Sequence, residues 1–117
     1  RLLLRIRAAA AAAAAAPAPD AIVTIDAKGF NYRVVAGARR AFARAGVPPP
    51  PFIHYVSPSV WAYRGRGGEA AKLGRLVDRV LCLLPFEPTL LAAHGVPSTF
   101  VGHPAAEDCL EREAGGR

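Results

Sequence analysis

Four short apolar runs alternate along the chain with segments of helical periodicity: "AIVTID" (Ala21 to Asp26), "FIHYVS" (Phe52 to Ser57), "RVLCLL" (Arg79 to Leu84) and "STFVG" (Ser98 to Gly102). Short β-branched and apolar runs of this kind suit the strands of a buried parallel sheet. Between the first two, Val34, Val35, Ala38, Ala41, Phe42 and Ala45 recur at helical spacing, and Arg33, Arg39, Arg40 and Arg44 fill the other face. Gly46 and the prolines Pro48 to Pro51 close that helix. Ala70, Leu73, Leu76 and Val77 share a helix face after Gly67 and Gly68, and Pro88 to His94 makes a short helix ended by Gly95. The order βαβαβαβ predicts an α/β fold, a Rossmann-like parallel sheet with flanking helices and right-handed crossovers.

A chain of 117 residues holds one small core. Residues 1–19 read as a helix with a low-complexity alanine tract, Ala8 to Ala16, that ends before Pro17. Their arginine-rich, acid-free composition also resembles part of an organellar transit segment. Residues 20–108 form the Rossmann-like domain and residues 109–117 a polar tail. The chain lacks a starting Met and begins inside a helix, so it reads as a piece of something longer. Lys and Arg outnumber Asp and Glu 15 to 9, a net charge of +6 that favours phosphate-bearing or membrane-surface partners. No nucleic-acid motif accompanies that charge. Cys82 and Cys109 have no paired spacing, which argues against a disulfide framework or a zinc site. No stretch reaches the ~18 apolar residues of a membrane span.

In an open parallel sheet, ligands bind outside the carboxyl ends of the strands. The residues that fall there are Asp26 and Lys28, Ser57 to Trp61, Phe86 and Glu87, and His103. Asp26 and His103 are the groups able to act as bases near neutral pH. The ordinary alternatives are that Asp26 caps the next helix or pairs with Lys28, and that His103 bonds to backbone at a strand end. His54, mid-strand, reads as a core or interface histidine. A serine hydrolase is disfavoured, because prolines and valines stand where a nucleophile elbow needs glycines around Ser57 and Ser59. "SPS", Ser57, Pro58 and Ser59, instead suits a rigid, hydroxyl-rich wall for sugar or phosphate oxygens. Trp61 and Tyr63 offer flat apolar surface to a sugar ring or acyl chain, or simply fill space between loop and helix. Arg64 and Arg66 are phosphate contacts or a solvated basic loop. Gly67 and Gly68 lack the lysine and spacing of a nucleotide loop.

Three stretches, "IHYVSPSVWAYR", "VDRVLCLLPFEP" and "HGVPSTFVGHPAAED", in this order and at these separations, resemble the lipid-A-disaccharide synthase family of GT-B glycosyltransferases. The similarity runs from about Pro19 to Asp108 and includes "PDAIVTIDAKGFN". It implies that the chain is part of the N-terminal half of a GT-B enzyme. The implied reaction transfers diacylated glucosamine from UDP-2,3-diacylglucosamine to the 6-hydroxyl of 2,3-diacylglucosamine 1-phosphate, with no cofactor or essential metal. By the same resemblance Asp26 takes part in catalysis; on the reading of the residues it serves as general base on the attacking hydroxyl, and Ser57, Pro58, Ser59, Trp61, Arg64 and His103 are the expected substrate contacts. The bacterial "Asp-Ala-Pro-Asp-Phe-Asn" is "DAKGFN" here, so the second aspartate is Gly29 and any role it has does not transfer. "KGF" and "GGE" resemble plant and algal versions, which implies a mitochondrial setting; a bacterial version implies the cytoplasmic side of a membrane. The glycine-rich loop and the donor domain that grips UDP are missing from these residues. Two expectations follow: the acceptor-side half of a transferase in peripheral contact with membrane, or a non-catalytic module that binds acylated sugar phosphates or a partner.

Overall fold

The computed structural model describes residues 1–59 and 67–116. Among them, nine elements follow in order: α1 (Leu2–Ala13), β1 (Ile22–Ile25), α2 (Lys28–Ala45), β2 (Phe52–Tyr55), α3 (Gly67–Leu76), β3 (Arg79–Cys82), α4 (Glu87–Ala92), β4 (Ser98–Phe100) and α5 (Pro104–Gly115). The strands stop one or two residues before the apolar runs do, and single inter-strand bonds from Asp26, Ser57 and Val101 continue past their ends. α1 ends at Ala13, short of Pro17, and the alanines that follow tighten its last turn. The Ala14 N–H donates to the carbonyls of Ala10 and Ala11, and the Ala15 N–H to that of Ala12. α5 lies mostly in what reads as a polar tail and buries none of its residues. Its support is local: a capped start at His103 and the i,i+4 spacing of Asp108 and Arg112.

All four strands are parallel in the order β1-β2-β3-β4. With right-handed crossovers, sequential order puts the connecting helices on one face of the sheet. The burial agrees: Thr24, Phe52, His54, Val80 and Cys82 are buried, whereas Val23 and Ile25 are 55% and 63% exposed. Parallel strands are usually covered on both faces, and the described residues cover one. The core joins Val35, Ala38 and Phe42 of α2 to Leu73 and Ala70 of α3, with Phe52, Val80, Leu91 and Val96 completing it. Full burial of a large apolar side chain contributes ~1.5–3 kcal/mol. No helix among the described residues is long and apolar enough to cross a membrane.

Arg39 departs from the solvated face to which its periodicity assigns it. Its Nε donates to the Leu76 carbonyl at 2.6 Å, and its guanidinium lies 4.4 Å over the Phe52 ring. Arg39 Nη2 also meets Asp78 Oδ2 at 3.2 Å, and that same oxygen accepts the Phe52 N–H at 2.7 Å. The Asp78 N–H in turn donates to the Phe52 carbonyl at 2.8 Å. One arginine and one aspartate thus lock the end of α3 to the start of β2.

α1 packs on α2 through a close approach at Gly37, where a Cβ would sit 2.9 Å from the Ala10 Cβ. Gly37→Val is expected to lift α1 away. Hydrogen exchange should then show loss of amide protection over residues 2–13 with the sheet amides unchanged; retained protection of α1 would contradict the packing.

Candidate functional site

The β1–β2 ladder runs one step past β1, where the Asp26 N–H donates to the Tyr55 carbonyl at 2.6 Å. The chain then turns through two non-glycine residues in the left-handed region, Asp26 at φ 48° and Ala27 at φ 39°. Asn31, in the first turn of α2, holds them: its Nδ2 donates to the Ile25 carbonyl at 2.9 Å and to the Asp26 carbonyl at 2.8 Å. Backbone and a neighbouring amide therefore fix the turn, and the Asp26 carboxylate takes no part. It does not cap α2, whose N-cap is Ala27 with no side-chain bond. Nor does it pair with Lys28, whose Nζ lies 3.2 Å from Glu69 Oε2 in an exposed ion pair. Both ordinary alternatives for Asp26 are absent, and among the described residues its carboxylate has no hydrogen-bond or ion-pair partner.

Asp26 opens onto a cleft of about 370 Å³ at the carboxyl edge of β1 and β2. Lys28 continues its wall, His54 and Val56 to Ser59 supply the β2 side, and Glu69 closes it from α3. Ser57 is buried: its N–H donates to the Leu81 carbonyl at 3.2 Å and its hydroxyl to the Pro58 carbonyl at 3.3 Å. The hydroxyl is thus engaged within its own loop, and Ser59 is the exposed serine of the pair. Trp61 and Arg64, with Tyr63 and Arg66, lie outside the described residues. His103 is not brought to this cleft. It follows β4, two strands beyond β2 at ~4.8 Å per strand, where its Nδ1 accepts the Ala105 N–H at 3.1 Å and caps α5.

His54 does what its strand position suggests and something more. It is 1% exposed, with Nδ1 2.8 Å from the Thr24 hydroxyl, and it meets the Tyr32 ring edge-on at 5.5 Å. Yet it also lines the cleft beside Asp26. Burial lowers its pKa, and the opposing pull of the Asp26 charge is the smaller effect. The ring is therefore neutral at neutral pH, and no imidazolium competes for the Asp26 carboxylate.

Sequence reasoning missed Tyr32 and gave Glu69 no part in the site. Burial, helped by the Glu69 charge, pushes the Tyr32 phenol up to about 12, and its hydroxyl is shielded with no hydrogen-bond partner among the described residues. Only the i+4 spacing from Lys28 could have placed Tyr32 near the cleft. Glu87 of the "PFEP" stretch is buried, and its Oε2 accepts the Leu84 N–H at 3.0 Å, so it shapes the β3–α4 turn. Burial raises the Cys82 thiol above its ordinary value, which keeps it protonated and unreactive.

The lowered His54 value has a consequence for stability. Between the unfolded value of 6.5 and the lower folded one, the unfolded chain binds more protons, so stability is full above 6.5 and falls as pH drops through that window. Urea unfolding from pH 7.5 downward should show this loss, and His54→Gln should flatten it; an unchanged slope in the variant would contradict the assignment.

Comparison with known proteins follows the same residues. A family model described as lipid-A-disaccharide synthetase matches residues 1–115. The lipid-A-disaccharide synthase of Burkholderia cenocepacia is 46% identical over 106 residues, which cover 91% of this chain and 25% of that protein. Those of Burkholderia pseudomallei and Burkholderia vietnamiensis are 47% and 45% identical over the same coverage. The chain spans about a quarter of the length of these curated relatives. On the match of nearly its whole length, and with the sheet and strand-end cleft in place, the chain belongs to the lipid-A-disaccharide synthetase family.

Proposed function

We propose that this segment is the acceptor side of a glycosyltransferase that moves 2,3-diacylglucosamine from UDP to the 6-hydroxyl of 2,3-diacylglucosamine 1-phosphate. The observation that carries this reading is the Asp26 carboxylate, unpartnered among the described residues and held at the mouth of a strand-end cleft. Asp26 accepts the proton of the acceptor hydroxyl as that oxygen attacks the anomeric carbon of the donor sugar. The bond from that carbon to the diphosphate breaks, and UDP leaves with the electron pair. Oxocarbenium character develops at the sugar and negative charge at the diphosphate, which fixed dipoles and cations stabilise. Neutral His54 beside Asp26 leaves the carboxylate to the substrate. On this reading the groups that grip UDP are supplied from outside these residues. A module that only binds sugar phosphates could use the same carboxylate as an acceptor for a sugar hydroxyl, so turnover in the Asp26 variant is what separates the transferase from the binding module.

The same reading includes peripheral contact with an anionic membrane. Leu2, Leu3 and Leu4 of α1 are 54%, 68% and 68% exposed. Beside them, Arg7, Arg33, Arg40 and Arg44 line a groove of about 430 Å³ between α1 and α2. Apolar side chains that enter the interface next to cations worth ~1 kcal/mol each near an anionic surface suit such contact.

Two measurements check these readings. When this segment replaces the matching quarter of the Burkholderia cenocepacia relative, Asp26→Asn should lower turnover by about 10²–10⁴-fold with acceptor binding intact; unchanged turnover would remove Asp26 as the base. In vesicle sedimentation the chain should prefer anionic to neutral lipid, and Arg40→Gln with Arg44→Gln should weaken that preference; equal binding to both lipids would overturn the membrane contact.

A further inference from the structure

A smaller cleft of about 220 Å³ lies between the first turns of α2 and the body of α3. Lys28, Tyr32 and Arg33 wall it from α2, and Glu69 and Lys72 from α3. Lys28 with Tyr32 is an i,i+4 pair and Glu69 with Lys72 an i,i+3 pair, so each helix presents its group on one face. Lys28 and Glu69 also line the Asp26 cleft, and the two clefts share that wall.

The charge in this cleft is unbalanced. Glu69 is the one carboxylate of its lining, and it lies 3.2 Å from Lys28. Arg33 and Lys72 have no carboxylate partner among the described residues. The first turn of α2 carries no acidic residue, so the positive end of an 18-residue helix adds to the same field. A second observation, independent of charge, is the Tyr32 hydroxyl, shielded from solvent with no partner among the described residues. A buried hydroxyl in that state costs stability until something bonds to it.

We propose that this second cleft is a subsite for a phosphate monoester, with Arg33 and Lys72 holding the dianion and the Tyr32 hydroxyl donating to one of its oxygens. On the transferase reading, from which the source of the monoester is taken, it is the 1-phosphate of the acceptor sugar. The 1-phosphate and the exocyclic 6-hydroxyl are carried by the two carbons that flank the ring oxygen of one hexose, so both reach out past the same edge of the ring, and the two clefts are likewise neighbours that share a wall. A sugar seated over the Lys28 and Glu69 wall therefore directs its phosphate into the smaller cleft and its hydroxyl toward Asp26. With its phenol held at about 12, Tyr32 remains a donor across the physiological range.

The test uses glucosamine 1-phosphate and inorganic phosphate as probes in calorimetric titration of the full chain, with circular dichroism as the check on folding. Glucosamine 1-phosphate should bind more tightly than inorganic phosphate, and Arg33→Gln with Lys72→Gln should weaken it by about 10-fold or more, as expected for charged hydrogen bonds. Tyr32→Phe should weaken it by a smaller factor. In the Burkholderia graft, the paired Gln variant should raise the acceptor KM by about the same factor while kcat stays close to its starting value. Sugar phosphate binding unchanged in the paired variant, or inorganic phosphate bound equally well, overturns the subsite. Either of those results, together with loss of turnover in Asp26→Asn, would leave the transferase reading standing. Unchanged turnover in Asp26→Asn, with binding lost in the paired variant, would do the reverse.

Discussion

The carboxamide of Asn31 is the small device on which the site depends. Its two N–H groups reach the carbonyls of Ile25 and Asp26, one each, and hold the turn in which Asp26 and Ala27 sit at positive φ. Non-glycine residues in that region carry strain of ~1–3 kcal/mol each, and hydrogen bonds of ~1 kcal/mol apiece offset it in part. The Asp26 N–H to Tyr55 carbonyl bond supplies a third tie, from the neighbouring strand. Because these bonds use backbone carbonyls and an amide, the aspartate side chain is left free for a ligand. The same turn sets the direction in which α2 leaves the sheet, and with it the positions of Lys28, Tyr32 and Arg33.

Behind the turn, the helix layer is secured by a group that combines charge with packing. Arg39 reaches the Leu76 carbonyl, Asp78 and the face of Phe52, while Asp78 bonds twice to the Phe52 backbone. α2, α3 and β2 are thereby fixed relative to one another, and the two clefts are the gaps left between those elements near the strand ends. The sheet's other face, with Val23 and Ile25 exposed, is not covered by the described residues.

The strand and helix order was legible because each apolar run was short, β-branched and bounded by glycine or proline. Asp26 was legible as a strand-end carboxylate for the same reason. Its lack of a partner was not, since that depends on Lys28 choosing Glu69 from 41 residues away. Tyr32 and Arg39 were hidden in the arginine-rich side of α2, where periodicity reports one apolar stripe and says nothing of a second contact with α3. α5 escaped notice because a helix with no buried residue has no stripe to read. His103 looked available because four strand ends are equivalent in sequence. The sheet order separates them, and a backbone amide donates to the His103 Nδ1.

The central claim is that ligand meets this segment at the carboxyl edge of β1 and β2. The most direct measurement is a heteronuclear NMR titration of the ¹⁵N-labelled chain with diacylated glucosamine 1-phosphate, following every backbone amide. The account predicts that shifts gather at Asp26 to Gly29, Ser57 to Ser59 and Glu69, with the amides around His103 still. Shifts centred on the β4 end and α5, with the Asp26 turn unmoved, would contradict it.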